Sequence, residues 1–204
     1  MLRQVGFSTV LSLALAAGLG ASPITGLFPT GVDDGMNPIG NAGIDPHYVV
    51  MVSGLPQAVV VGGAPTYIQT PPSRWVWQTW QQQPTNVTLT FRTTFNLSAF
   101  LVGSTSLSGS WATDNLGLDI LINGQSTGNT CAGFTSLCAF SITNGFVAGT
   151  NTIDFVVQDT GVVGGMLVSS LAGITAPIPN IPEPSSLLLC GIGLAALAFR
   201  RVRL

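Results

Sequence analysis

The sequence predicts an all-β protein, an antiparallel sandwich or jelly roll of about eight strands, with a short helix at each end of the chain. Three observations carry the prediction. Runs rich in Val, Ile, Phe and Thr alternate apolar with polar residues, the period of a half-buried strand. Gly, Pro and Asn punctuate those runs every ten residues or so, the spacing of strands joined by tight turns. Between the two ends of the chain, nothing carries the apolar period of a long amphipathic helix.

The chain has 204 residues and opens with Met1-Leu2-Arg3-Gln4, an apolar run from Val5 to Leu19, and the small residues Gly18, Gly20, Ala21 and Ser22. A charged start, a short apolar stretch and small residues at its boundary make a secretory signal peptide over residues 1–22. Residues 23–176 follow as one domain, long enough for a single well-buried core and too short for two. Leu27 to Pro46 is dominated by Gly, Pro, Asn and Asp, the composition of an ordered surface loop or a mobile arm. His47 to Val52 and Gln57 to Val61 are β-branched runs split by Gly54 and Pro56, two strands with a tight connection. Thr70 to Pro84 breaks the pattern with proline, tryptophan and glutamine. In Asn86 to Leu97, Val87, Leu89 and Phe91 face one way and Thr88, Thr90, Arg92 and Thr94 the other, as a half-buried antiparallel strand requires. Ser110 to Asn115 leads into a strand, Leu118 to Ile122, that ends in Asn123-Gly124, the strongest short hairpin signal. Phe134 to Ile142, Thr152 to Gln158 and Gly165 to Ala172 complete the set.

Residues 177–204 form a tail. Pro177 to Pro184 is a proline-rich linker, Ser185 to Phe199 carries no charge, and Arg200, Arg201 and Arg203 close the chain. As a helix, 185–199 reaches roughly 22 Å against a hydrocarbon core of about 30 Å. Arginines that snorkel to the headgroups and local thinning of the bilayer make up the difference, so a single short transmembrane helix is feasible. The basic end puts the C-terminus in the cytoplasm and the domain outside. Pro182-Glu183-Pro184, the short apolar helix and the basic end together resemble the PEP-CTERM sorting signal, a tail also labelled an ice-binding protein C-terminal domain. The resemblance implies a bacterial exported protein whose tail is recognised and cleaved by an exosortase near Pro182, Glu183 and Pro184. It also implies deposition at the cell surface or in extracellular polysaccharide.

A second resemblance lies in the domain. Asn123-Gly124, Gly128, Phe140-Ser141-Ile142 and the run from Gly149 to Val157 are similar to the second half of a galactose-binding-like jelly roll, found in sugar-binding modules attached to glycoside hydrolases. Gly149 and Asn151 read as the turn that starts a core strand, so the motif implies a fold rather than a site.

Charged residues make up 7% of the chain, against about 25% in an average soluble protein. There is no lysine, and the domain sets Arg74 and Arg92 against seven aspartates. Such a surface has no footprint for phosphate backbones, which excludes nucleic acid as a partner. Cys131 and Cys138 stand in a Gly/Thr/Ser stretch of an exported domain, a context that favours a disulfide over free thiols or half of a metal site.

The candidate chemistry is thin. His47 is the only histidine and Asp45 is placed to orient it, yet a lone His at a strand start is usually a surface or packing residue. Glycosidase chemistry needs two carboxylates about 5 to 9.5 Å apart, whereas the only glutamate, Glu183, belongs to the tail and the aspartates scatter over turns. Asp33, Asp34 and Asp45, or Asp114 with Asn115, offer oxygen ligands for a structural calcium, without any EF-hand spacing. Thr88, Thr90 and Thr94, interrupted by Arg92, read as an ordinary solvent-facing strand. Among the tryptophans, Trp111 and one of Trp75 or Trp77 are assigned to the core. Trp80, followed by Gln81, Gln82 and Gln83, is left as the ligand candidate. The expectation is a structural or glycan-binding module with no catalytic residue, no cofactor and no metal site, and a secreted carbohydrate-active hydrolase is the alternative.

Overall fold

A computed structural model of the chain describes residues 20–179 and 191–192. The signal peptide, the sorting residues Pro182, Glu183 and Pro184, the apolar run 185–199 and the basic residues Arg200, Arg201 and Arg203 lie outside the described residues, apart from Gly20 to Ser22 and Gly191-Ile192. Among the described residues no helix is long and apolar enough to cross a membrane.

Twelve strands follow one another: β1 (Ser22–Pro23), β2 (Ile44–Val50), β3 (Gln57–Val60), β4 (Val76–Trp77), β5 (Thr88–Asn96), β6 (Phe100–Asp114), β7 (Leu116–Ile122), β8 (Gln125–Ser126), β9 (Cys131–Ala132), β10 (Cys138–Ile142), β11 (Thr150–Gln158) and β12 (Gly165–Pro177). Four of them, β1, β4, β8 and β9, have only two residues. The longer ones are the eight that the alternation predicts, with two corrections. β6 begins at Phe100, although the sequence gives no strand signal before Ser110, because Gly103, Ser104, Ser106, Ser108 and Gly109 are weak strand formers. They are extended because β12 pairs along one side of β6 from Phe100 onward and β10 joins on the other side from Leu107. A Cβ at Gly109 would lie 2.5 Å from the Phe140 ring, so the residue that weakens the pattern is also what lets that ring lie on the sheet. The second correction is Phe134 to Ile142, which is a strand only from Cys138 onward.

All the pairings are antiparallel, and they run in one path, β10-β6-β12-β4-β3-β2-β5-β11-β7-β8, with β1 on β12 and β9 on β7. The path folds into a sandwich. Trp111 of β6 and Phe140 of β10 meet Phe155 of β11 with ring centroids 5.5 and 6.1 Å apart, so β10-β6-β12 faces β2-β5-β11-β7 across the core. β4 bridges the two layers on one side, pairing with both β12 and β3. On the other side, the Cys131–Cys138 disulfide joins β9, which rides on β7, to β10, with the Cα atoms 5.5 Å apart, inside the usual range. The covalent bond thus joins β9 and β10, which are not paired with each other, beside the backbone bonds of Gly133 with Thr113 and Asn115.

Tyr48, Trp75, Trp77, Phe91, Trp111 and Phe155 fill the core. β5 follows the expected alternation, with Leu89, Phe91 and Phe95 buried and Thr88 and Thr94 exposed. Gly117 makes room for the indole of Trp111, whose ring would stand 2.3 Å from any Cβ there.

The two ends of the sandwich differ in what they collect. At one, the loop end, β6 finishes at Asp114 opposite Gly165, where β12 starts, and β11 finishes opposite the start of β5. At the other, the exit end, β5 passes into β6, β11 starts, and β12 finishes at Pro177 opposite Phe100.

Candidate functional site

Both Trp75 and Trp77 are buried, where the sequence assigns only one of them to the core. β4 bridges the layers, and Val76 between the two tryptophans is buried as well, so both faces of the segment are covered: Trp75, just before β4, lies 4.4 Å from Tyr67 and Trp77 lies 5.5 Å from Phe91, centroid to centroid. Their ring N–H groups donate to the carbonyls of Ile68 and Pro84. The chain then turns outward. Trp80 is 58% exposed, whereas the other three tryptophans are at most 1% exposed.

The loop that carries Trp80 is pinned on both sides. Thr79 Oγ1 donates to the Gln83 carbonyl and accepts from its N–H. Gln82 Nε2 donates to the Gly164 carbonyl at 2.9 Å, and the Gly164 N–H donates back to the Gln82 carbonyl at 3.3 Å. Gly164 is required here, since a Cβ would sit 2.2 Å from the Trp77 ring. An indole is therefore held in solvent by a fixed frame, with Gln81 and Gln83 exposed beside it.

Beneath these loops are two buried aspartates that the sequence does not bring together. Asp114 accepts from the Tyr67 hydroxyl and from Asn115 Nδ2. Asp159 accepts from the N–H groups of Asn86 and Gly161. Asn115 Oδ1 accepts from the N–H and the hydroxyl of Thr160. Burial pushes the Asp114 carboxyl above the usual carboxylate range, the Tyr67 hydrogen bond opposes the shift, and the charge of Asp159 adds to it. Burial, followed by the bond to Asp114 and its charge, holds the Tyr67 hydroxyl well above its ordinary value. These acids tie loops together. Tyr67 stands 47 residues from Asp114, and no local pattern points to the contact.

A separate groove of about 280 Å³ runs over β2 and β5, lined by Pro46, His47, Val49, Met51, Leu55 and Arg92 to Thr94. Its guanidinium is fixed: Arg92 Nε and Nη2 donate to the two oxygens of Asp154 at 2.6 and 2.7 Å. That bidentate bond raises the Arg92 pKa further, against desolvation. His47 is a packing residue. Its ring stacks on Phe28 at 3.7 Å, and Nε2 has no hydrogen-bond partner, with Asp34 Oδ1 3.7 Å away. Asp45, which the spacing places to orient the ring, does not do so; its carboxylate accepts from the backbone N–H groups of His47 and Gly31. Burial raises the Asp45 pKa, and those two bonds oppose the rise.

A second groove, of about 350 Å³, lies beside the disulfide between Leu116, Leu118, Thr130 and Ala132. Neither groove is lined by a carboxylate, and Trp80 lines neither. Asp33, a calcium candidate, spends its carboxylate on the N–H groups of Gly35 and Asn37 and on the Asn37 amide. The Asn37 backbone bond holds its pKa below the usual value. Among the described residues, no three His, Cys, Asp or Glu side chains gather where they would hold a metal ion.

Residues 180–203 match the PEP-CTERM protein-sorting motif. No curated protein matches the chain. The structure is similar to a family 35 carbohydrate binding module from Clostridium thermocellum, with 16% identity, a TM-score of 0.41, and coverage of 75% of this chain and 97% of that one. It is also similar to CBM35 from Paenibacillus barcinonensis, with 16% identity, 74% and 98% coverage and a TM-score of 0.33. A third similar structure is the CBM36-1 domain of a multidomain xylanase from the hindgut metagenome of Trinervitermes trinervoides, with 17% identity, 65% and 98% coverage and a TM-score of 0.33.

Proposed function

We propose that this protein is an exported jelly-roll module that binds polysaccharide at the cell surface or in the extracellular matrix. In this reading a signal peptide over residues 1–22 directs export, residues 185–199 anchor the precursor as a single short transmembrane span, and an exosortase removes the tail. The sorting motif at 180–203 supports the address. One observation carries the binding role: three tryptophans are sealed in the core, and the fourth, Trp80, is held out on a loop pinned to Gly164. An indole 58% exposed leaves apolar surface in water, whereas its flat face suits the C–H face of a pyranose ring, and neighbouring amides suit its hydroxyls. The acids point away from hydrolysis, because Asp114 and Asp159 are occupied in holding loops.

A single stacked aromatic adds about 1 kcal/mol beyond its burial, far below the roughly 8 kcal/mol of a micromolar complex. Each copy binds weakly, and many copies on one surface supply the affinity. The test is a glycan array probed with multivalently displayed protein. Signal on polysaccharide that is lost in Trp80→Ala supports the reading. Reducing sugar released by the monomeric protein, and abolished by changing Asp114 and Asp159 together, would replace it with a hydrolase.

A further inference from the structure

The exit end has a composition of its own. It is built from residues 97–109, 143–153 and 171–179, and none of these segments contains a charged residue. Arg92 and Asp154 pair in the body of the sheet. The loop end, by contrast, holds Asp114 and Asp159.

The same end exposes large apolar side chains. Leu101 is 39% exposed, Val147 49%, Ile174 52% and Ile178 51%. Register and hydrogen bonds put the segments that carry them at this end: Leu101 pairs with Ala176, Ile174 with Ser106, the Ile178 N–H donates to the Ala99 carbonyl, and the Leu97 N–H donates to the Gly149 carbonyl, two residues from Val147. Scattered exposed apolar residues are ordinary on a soluble surface. An end that has no charged side chain in these segments and collects four of them is a candidate interaction surface, with the chain's N-terminal amine after loss of residues 1–22 beside Ile174 at its edge.

Its distance from the apolar run identifies the partner. β12 delivers the chain to this end at Pro177, and only Asn180 to Pro184 separate Pro179 from Ser185, where the apolar run begins. Fully extended, that linker covers no more than about 20 Å. If 185–199 spans a bilayer, as the proposed function holds, the exit end is tethered within that distance of the headgroups.

We infer that, in the precursor that still carries its tail, the exit end rests on the lipid bilayer through Leu101, Val147, Ile174 and Ile178. The tether makes a weak apolar contact sufficient, because it keeps the local lipid concentration high. β12 has 13 residues and at about 3.3 Å each runs roughly 40 Å. Docking therefore aims Trp80, at the loop end, away from the membrane.

The test uses the full chain reconstituted in phosphatidylcholine vesicles, with or without bromine on the acyl chains. Ile174→Trp places a reporter at the exit end, and Val162→Trp, at a position 84% exposed in the other end's loops, serves as the control. The added emission of Ile174→Trp is expected to fall roughly by half in brominated vesicles, the depth at which an interfacial apolar side chain rests, while Val162→Trp is unchanged. Protein that floats with the vesicles but shows equal, unquenched emission from both variants overturns the docking and leaves the anchored reading standing. This is also the outcome if the surface serves another protein of the membrane. Protein that fails to float overturns the anchor and the docking with it.

Discussion

Asn151 is a fully buried amide that closes two turns at once. Its Nδ2 donates to the carbonyls of Val147 and Gly149 at 2.7 and 3.0 Å, and its Oδ1 accepts from the Val147 N–H and from Asn123 Nδ2, both at 2.8 Å. Asn123 in turn accepts from the Thr152 N–H and donates to the Gly145 carbonyl, so the Asn123-Gly124 hairpin and the start of β11 are joined. Asn151→Ala leaves these groups unpaired in a buried place, and a loss of about 2–4 kcal/mol is expected, read as a lower urea midpoint at unchanged slope. Each turn is legible in the sequence, because Asn-Gly and Gly-x-Asn carry local backbone preferences. The bond between the turns is not, because it spans 28 residues and no period encodes it. The same applies to Arg92, whose outward face follows from alternation while its partner, Asp154, comes from a different strand.

Among the elements, legibility follows residue type. β5 and β11 are dense in β-branched and aromatic residues, and their alternation places them unaided. The first half of β6 is broken up by Gly and Ser, and pairing with β12 makes it a strand. β9 has only two residues and carries no readable alternation, and the strand read from Phe134 starts only at Cys138, because the chain between Ala132 and Cys138 bends to bring Cys131 and Cys138 together. Closing a loop of that size contributes roughly 2.5 kcal/mol by chain-entropy arithmetic. Cys138→Ser should therefore lower the melting temperature by about 5–10 °C, and non-reducing peptide maps of exported wild type should show one linked peptide. Alkylatable thiols at both positions in that material would contradict the closure.

At the scale of the whole molecule, the sandwich has a chemical polarity, with acids and an exposed tryptophan at one end and an uncharged apolar surface at the other. The address was legible because Pro182-Glu183-Pro184 and the basic end are linear signals. The polarity was not, because residues 97–109, 143–153 and 171–179 meet only after folding. Replacing Pro182-Glu183-Pro184 by alanines is expected to leave export intact and to block removal of the tail, so intact mass should show Arg201 to Leu204 retained in the variant and absent from wild type. Ser22-Pro23 lies against Thr175 and Ile174, which makes the chain's entry into the domain and its exit from it neighbours. An epitope or fluorescent protein inserted between the signal peptide and Pro23 would then stand in the path of any enzyme approaching Pro182, and a block to processing caused by such a label would imitate a sorting mutant. The loop around Val162, at the far end, is where a label leaves both the enzyme and the lipid unobstructed.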